Sequence, residues 1–192
     1  MRVVNRLLRR AVLQRFDFTI DEMLPTVGAT VLDVGCGSGV LAEGLLKAGA
    51  ESVTGVDVSQ GMLDLAENRL NGPIREGKVS LVCEDFMEWQ TESRFDYVVA
   101  LGVFDYSGDS QQLIRRMRNF ALRRIVVSLP TPSRFRFRSG IRRIRYRIQG
   151  KGDVYYYSRD DAEELAKMCG ASSFRLRDLG SGQGFLVVVD FE

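Results

Sequence analysis

The fold of this chain is decided by residues 31–42, which read Val-Leu-Asp-Val-Gly-Cys-Gly-Ser-Gly-Val-Leu-Ala. The apolar run at 31–34 is typical of a strand covered on both faces. The glycines within 35–39 allow a tight turn and let the backbone approach a ligand closely. From Val40 the apolar residues follow helical spacing. The stretch therefore predicts a nucleotide-type site, because the first amides of a helix have no partners within the helix.

The spacing of the glycines narrows the class of nucleotide. They follow Asp33 as D-x-G-x-G-x-G, whereas the dinucleotide fingerprint G-x-G-x-x-G would place its third glycine where Val40 stands. The G-K-[ST] of a Walker loop is absent. The string resembles motif I of the class I S-adenosylmethionine-dependent methyltransferases, which implies S-adenosylmethionine as the cofactor. The motif residues that would contact it are Asp33, Gly35, Cys36, Gly37 and Gly39.

Composition sets the class of protein. The chain has 192 residues, 45% of them hydrophobic and 27% charged, which predicts a single globular domain over 1–192. It has no histidine, which excludes Ser-His-Asp and Cys-His catalysis and argues against a metal site. The three cysteines are scattered and no apolar run is long enough to cross a membrane, so we expect a reducing, cytoplasmic location.

The charges are unevenly distributed along the chain. Residues 110–152 contain 12 Arg and 1 Lys without any acid, and residues 1–16 contain five Arg without any acid. All 25 acidic residues lie elsewhere. Such basic blocks usually bind negatively charged partners and do not determine the fold. In residues 1–16 the apolar residues also recur at helical spacing. This pattern predicts that residues 1–28 contain an N-terminal helix that packs beside the sheet and covers the site. The alternative is a transit peptide.

Two further strands carry predicted cofactor contacts. The strand at 52–57 ends in Asp57, 22 residues past Gly35, where an acid can accept hydrogen bonds from both ribose hydroxyls; a helix-capping acid is the alternative. The resemblance implies that Met62 flanks the adenine, and Val58, directly after Asp57, is a further predicted cofactor contact. After the strand at 79–83, it implies that Asp85 accepts a hydrogen bond from the adenine amino group, with an ordinary loop acid as the alternative. Phe86 is expected to offer the adenine its backbone amide and an apolar edge. Leu101, at the end of the next strand, completes the predicted contacts.

The order of elements predicts the fold class. Strands at 31–34, 52–57, 79–83, 95–101 and 124–130 alternate with helices. A helix at 160–169 then precedes two closing strands, at 174–177 and 184–189, with no helix between them. This order predicts an α/β fold with a doubly wound, mostly parallel, seven-stranded sheet and an antiparallel hairpin at one edge. Such a Rossmann-like layout resembles that of the class I methyltransferases.

Methyl transfer from a sulfonium is an in-line displacement, so the protein mainly aligns the acceptor and excludes water. A general base is optional. The loop after the fourth strand faces the reacting group, and Asp105 and Tyr106 in it are the candidate catalytic residues, as groups that orient the acceptor. An equal alternative is that Tyr106 packs on the cofactor while Asp105 caps the next helix.

The resemblance to the class I methyltransferases implies that the basic segment 131–157 lies on the acceptor side of the site. Arg134, Arg138, Tyr155 and Tyr156 are its candidate substrate-binding residues. The arginines suit a carboxylate- or phosphate-bearing acceptor or an anionic membrane surface, and a solvated helix face is a further alternative. Nucleic acid is the least favoured partner. The pattern partly resembles that of the magnesium-protoporphyrin O-methyltransferases.

The sequence thus predicts a methyltransferase that acts on oxygen or nitrogen of a small, anionic acceptor. Three alternatives stay open: a membrane-associated lipid or porphyrin-like acceptor, a cofactor-binding protein without catalysis, and an aminopropyltransferase. The basic segment would repel the polyamine of an aminopropyltransferase. The sequence assigns no oligomeric state.

Overall fold

The computed structural model describes residues 15–23, 26–132, 154–180 and 184–191. Helix α1 covers residues 15–23. The other elements follow in this order: β1 (Thr30–Val34), α2 (Val40–Lys47), β2 (Ser52–Asp57), α3 (Gln60–Arg75), β3 (Val79–Cys83), β4 (Phe95–Ala100), α4 (Ser110–Phe120), β5 (Ala121–Leu129), α5 (Arg159–Met168), β6 (Ser173–Asp178) and β7 (Phe185–Asp190).

The seven strands form one sheet in the order β3-β2-β1-β4-β5-β7-β6. Strands β1 to β5 pair in parallel, and β7 is antiparallel to both β5 and β6. The predicted α/β fold with an antiparallel edge is confirmed. The chain turns from one half of the sheet to the other between β1 and β4, the kind of switch point at which open α/β sheets bind ligands.

Alternate residues of the central strands fill two separate cores. Leu32, Val98 and Ile125 pack with α4 and α5 on one face of the sheet. Val31 and Val99 lie in the core on the other face, together with residues of α1, α2 and α3. Burial on both faces explains why these strands read as continuous apolar runs.

Helix α1 lies near the end of the central strand β4 at one end and contacts the edge strand β6 at the other. The Arg15 guanidinium lies 3.7 Å from the position that a Cβ on Gly102 would occupy, at the carboxyl end of β4. At the opposite end, Glu22 pairs with Arg175 and Arg177 of β6. The helix therefore continues past residue 16, where the predicted helix ends. Residues 1–14, which hold most of that prediction, lie outside the described residues.

The start of strand β5 shows the largest difference from the predicted boundaries. Strand β5 begins at Ala121, three residues earlier than expected, because α4 ends at Phe120 and the chain enters the sheet at once. Helix α3 continues to Arg75 beyond a break at Leu70, ahead of Pro73, whose ring disfavours regular helix before it. Among the described residues, no helix has the length and apolar character needed to cross a membrane.

Candidate active site

The glycine loop between β1 and α2 is a cradle that only glycine can form. Gly35, Gly37 and Gly39 have φ angles of 68°, 53° and 71°, in the left-handed region. A Cβ on Gly35 would lie 2.4 Å from Cγ2 of Val103, so no side chain fits there. The loop therefore has glycines both because its φ angles are positive and because a side chain at Gly35 would overlap Val103.

Asp57 holds this loop in place. Its Oδ2 accepts a hydrogen bond from the Gly37 amide at 2.8 Å, and its Oδ1 accepts one from the Ser59 amide at 2.9 Å. Ser59 stands at the N-cap of α3 without a side-chain cap bond. The sequence predicts a ligand role for Asp57 but not this bond to the loop. Each carboxylate oxygen has a second lone pair, so a ligand can still be accepted.

Asp33 is a buried acid beneath the loop. It is 2% exposed, and within the described ranges its Oδ2 accepts no hydrogen bond. Burial, together with the nearby charge of Asp57, raises its pKa to about 8. An unpaired buried carboxylate is costly, so the neutral acid prevails unless a positive group approaches it.

Cys36 packs against β2 and has no catalytic character. Burial raises the pKa of its thiol, which therefore stays protonated. A Cβ on Gly55 would lie 2.7 Å from the Cys36 sulfur, so Gly55 makes room for this side chain. The sequence analysis did not identify Gly55, although a lone glycine within a strand is a signal of close approach.

The apolar wall predicted for the adenine lies beside the loop. Met62 is 38% exposed, and its Cε lies 3.3 Å from the position of a Cβ on Gly37. Val58 follows Asp57 directly and is 70% exposed. Large exposed apolar side chains next to a bare backbone loop are typical of a ligand-binding surface.

The third predicted contact region differs in part from the expectation. Asp85 is exposed, and its Oδ1 accepts a hydrogen bond from the Met87 amide at 2.8 Å. The Phe86 ring is buried in the core, 5.7 Å from the Phe120 ring, with the Arg116 guanidinium over it. This side chain is therefore not an apolar edge for adenine. The adenine contacts of Asp85 and of the Phe86 amide stay predictions.

The loop after β4 begins at Leu101 and carries the candidate catalytic residues. The Gly102 amide donates a hydrogen bond to Oγ of Ser128 at 2.9 Å. Asp105 is buried, at 5% exposure, and Tyr106 is 42% exposed. The alternative that Asp105 caps the next helix is wrong, because Asp109 caps α4 by accepting from the Gln112 amide.

A tyrosine segment packs against this loop. The Tyr155 amide donates to the Asp105 carbonyl at 2.9 Å, and the Tyr157 hydroxyl donates to the Phe104 carbonyl at 3.1 Å. A cavity of about 190 Å³, which we call the tyrosine cavity, lies between Tyr155–Tyr157, the loop before α4, and α5. Two of the predicted substrate-binding residues, Tyr155 and Tyr156, line it.

The remaining predictions concern residues without a described position. Arg134, Arg138 and most of the basic segment lie outside the described residues. The described ranges contain no cluster of three or more His, Cys, Asp or Glu side chains that could hold a metal ion.

Comparison with known sequences places the glycine loop in a methyltransferase domain. Residues 31–122 match the family model described as "Methyltransferase domain". A ubiquinone biosynthesis O-methyltransferase from Coxiella burnetii is 34% identical over 97 residues, which are 50% of this chain and 40% of that protein. A malonyl-[acyl-carrier protein] O-methyltransferase from Priestia megaterium is 31% identical over 88 residues, 45% of this chain and 31% of that protein. The chain thus spans less than half the length of these curated relatives.

Solved structures share the fold over nearly the whole chain. Magnesium protoporphyrin IX methyltransferase from Synechocystis PCC 6803, with bound SAH, has a TM-score of 0.76 and 20% identity, over 97% of this chain and 85% of that chain. The same enzyme with bound SAM has a TM-score of 0.73, over 95% of this chain and 80% of that chain. Residues 31–122 are thus similar in sequence to a methyltransferase domain, and the chain shares its sheet order and fold with solved methyltransferase structures.

Proposed function

We propose that this chain is an S-adenosylmethionine-dependent methyltransferase that transfers the methyl group to an oxygen or nitrogen atom of a small acceptor. The observation that carries the proposal is the glycine cradle fixed by Asp57, whose carboxylate binds the Gly37 and Ser59 amides. It combines bare backbone with an acid at the tip of the neighbouring strand, the two features that a nucleoside with an amino-acid tail requires.

The residues present fit this cofactor. The Asp33 carboxyl, buried beneath the loop, suits the ammonium group of the amino-acid tail. Asp57 suits the ribose hydroxyls, and Met62 with Val58 suits the adenine ring. When bound, the cofactor supplies an activated methyl group on a positively charged sulfur.

The loop after β4 would then manage the acceptor. These residues would hold the acceptor atom in line with the methyl group that the bound cofactor would supply. The acceptor hydroxyl proton passes to Asp105, and Tyr106 orients the acceptor. Alignment can supply roughly 7–11 kcal/mol of barrier reduction, whereas a base contributes about 10²–10⁴-fold. Positioning is therefore the larger part of catalysis.

Oxygen is the favoured acceptor atom. Relatives matched over residues of this domain are O-methyltransferases. The predicted anionic acceptor depends on Arg134 and Arg138, outside the described residues, and the described lining of the tyrosine cavity carries Asp161 and Glu164 but no basic residue. We therefore leave the negative charge of the acceptor, and the membrane contact predicted from the same segment, out of the proposal.

Calorimetry with S-adenosylhomocysteine and with NAD tests the cofactor. The proposal expects binding of the first and none of the second, and binding of NAD alone would overturn it. Incubation with methyl-labelled S-adenosylmethionine and a small-molecule extract then tests transfer. Label in an organic product supports an enzyme, and tight cofactor binding without labelled product supports a non-catalytic binding protein.

A further inference from the structure

The tyrosine cavity has chemistry of its own, beside the loop that carries Asp105. We propose that it holds a single aromatic ring that bears hydroxyl groups and no acidic group, as the recognition part of the acceptor. This inference rests on the proposed methyltransferase function and adds the class of substrate to it.

The volume of the cavity matches one aromatic ring. The cavity has a volume of about 190 Å³. An engineered apolar cavity of about 150 Å³ accepts benzene, and drug-sized ligands occupy about 300–1,000 Å³. The tyrosine cavity therefore has room for one substituted ring of the acceptor.

The Tyr156 hydroxyl is the polar group left for a ligand. Tyr156 lines the cavity, and its hydroxyl oxygen is buried with no hydrogen-bond partner anywhere in the described part of the chain. The neighbouring Tyr157 hydroxyl donates to the Phe104 carbonyl. A buried hydroxyl without a partner is rare in folded proteins because it is costly. A ligand hydroxyl in the cavity would remove that cost.

The charges of the lining exclude an anion. Asp161 and Glu164 of α5 line the cavity, and the described lining includes no Lys or Arg. Hydrogen bonds from the Ser158 amide and hydroxyl lower the pKa of Asp161, so this carboxylate is ionised. Carboxylates accept hydrogen bonds from phenolic hydroxyls and repel carboxylates or phosphates. The cavity thus selects a hydroxylated ring over an anionic one.

The cavity is fixed next to the proposed catalytic loop. The Tyr155 amide bonds to the Asp105 carbonyl, and the Tyr157 amide bonds to the Pro130 carbonyl at the end of β5, each at 2.9 Å. These two bonds anchor the tyrosine segment to loops at the carboxyl ends of β4 and β5. A ring held by this segment lies beside the residues that would accept its proton.

Three probes that share one ring test the proposal. Catechol is neutral, protocatechuate adds a carboxylate, and dopamine adds an amine. Binding to the full chain saturated with S-adenosylhomocysteine is measured by ligand-observed NMR. We expect catechol to bind at least about tenfold more tightly than protocatechuate, since an uncompensated like charge costs more than 1 kcal/mol. Equal binding of catechol and protocatechuate, or weaker binding of dopamine than of protocatechuate, would overturn the proposal, because either result contradicts a negatively charged lining.

Two variants locate the probe. Tyr156→Phe should weaken catechol about fivefold or more through the lost hydrogen bond. Glu164→Gln should narrow the gap between catechol and protocatechuate, whereas Glu163→Gln, the matched control that pairs with Arg159 outside the lining, should leave it unchanged. Catechol binding that neither Tyr156→Phe nor Glu164→Gln alters would refute the inference.

Failure of this inference is separable from failure of the proposed function. S-adenosylhomocysteine affinity and thermal unfolding are measured first on each sample. Absence of S-adenosylhomocysteine binding by the parent chain counts against the methyltransferase proposal, and the ring proposal falls with it. Retained S-adenosylhomocysteine binding without catechol binding overturns the ring proposal alone.

Discussion

Asp33 is the residue whose acid–base chemistry the fold changes most. Its pKa is raised to about 8 in the folded chain, by burial and then by Asp57, from an ordinary value near 3.8. The folded state therefore binds this proton more tightly than the unfolded state does. Stability from this group is complete below the unfolded pKa and is lost as the pH rises through the folded pKa.

We accordingly expect the free energy of unfolding of the cofactor-free protein to fall between about pH 5 and pH 8, where most other carboxylates are already ionised. Asp33→Asn should remove much of this slope, because the amide is neutral throughout. Urea unfolding across this pH range is the measurement. Identical slopes in the two proteins would show that Asp33 does not titrate there.

Asp57 makes two contributions that one substitution removes together. Asp57→Ala should weaken S-adenosylhomocysteine binding by about 1–3 kcal/mol, because the ribose hydroxyls and the Gly37 amide lose their acceptor. Calorimetry gives the affinity. Asp64→Ala, at an exposed position on α3, is the control and should bind normally. Unchanged affinity in Asp57→Ala would mean that the ribose lies elsewhere.

Gly35 tests whether the bare backbone of the loop matters. Gly35→Ala should weaken S-adenosylhomocysteine binding about tenfold or more, since its positive φ costs about 1–2 kcal/mol and the added Cβ overlaps Val103. The matched control is Gly72→Ala in α3, where an added Cβ meets no atom within 4 Å. Calorimetry compares the two, and equal affinities would contradict the close approach of ligand and loop.

At the scale of elements, α1 is held to the sheet by an ion cluster. Glu22 is 15% exposed and pairs with Arg175 at 2.8 Å and Arg177 at 3.2 Å, while Arg124 and Arg175 also bind Asp190. Partly buried, shared carboxylates of this kind contribute more than exposed surface pairs. The cluster fixes the end of α1 that lies away from the glycine loop.

We expect Glu22→Gln to lower the free energy of unfolding by about 1–3 kcal/mol, because two guanidinium groups lose a charged acceptor. Chemical denaturation is the measurement. Glu43→Gln removes an exposed pair with Lys47 and Arg69 and should cost only about 0–1 kcal/mol. Equal losses in the two variants would show that the cluster does not anchor α1.

The elements were predictable wherever periodicity and glycine spacing were strong. The strand, loop and helix of residues 31–47 and the strand ending at Asp57 are where the sequence predicts them. The start of β5 was not predicted, because Arg123 and Arg124 interrupt its apolar pattern. In the fold these two arginines pair with carboxylates, Arg123 with Asp96 and Arg124 with Asp190. Boundaries of this kind depend on tertiary partners that local sequence does not reveal.

The site was predictable only in part, because some of its contacts also depend on tertiary partners. Residue spacing places Asp33, the glycines and Asp57 at one edge of the sheet, but it carries no information about the bond between Asp57 and Gly37. The Phe86 ring, expected to offer an apolar edge to the adenine, packs in the core instead, because Phe120 of α4 covers it from a distant part of the chain. The tyrosine cavity likewise requires segments about fifty residues apart.

At the scale of the whole molecule, the sheet order brings these parts together. The switch between β1 and β4 opens the site, the glycine loop and Asp57 form one side, and the loop after β4 with the tyrosine segment forms the other. One cofactor and one small acceptor can therefore meet at the carboxyl edge of the strands. The single-domain organisation over 1–192 stays a prediction.

The most direct test of this account is a crystal structure of the protein with S-adenosylhomocysteine. We predict that the amino-acid tail contacts the backbone of residues 35–39, with its ammonium group on Asp33 and the ribose on Asp57. A nucleoside seated away from this loop, or with its ribose far from Asp57, would contradict the account.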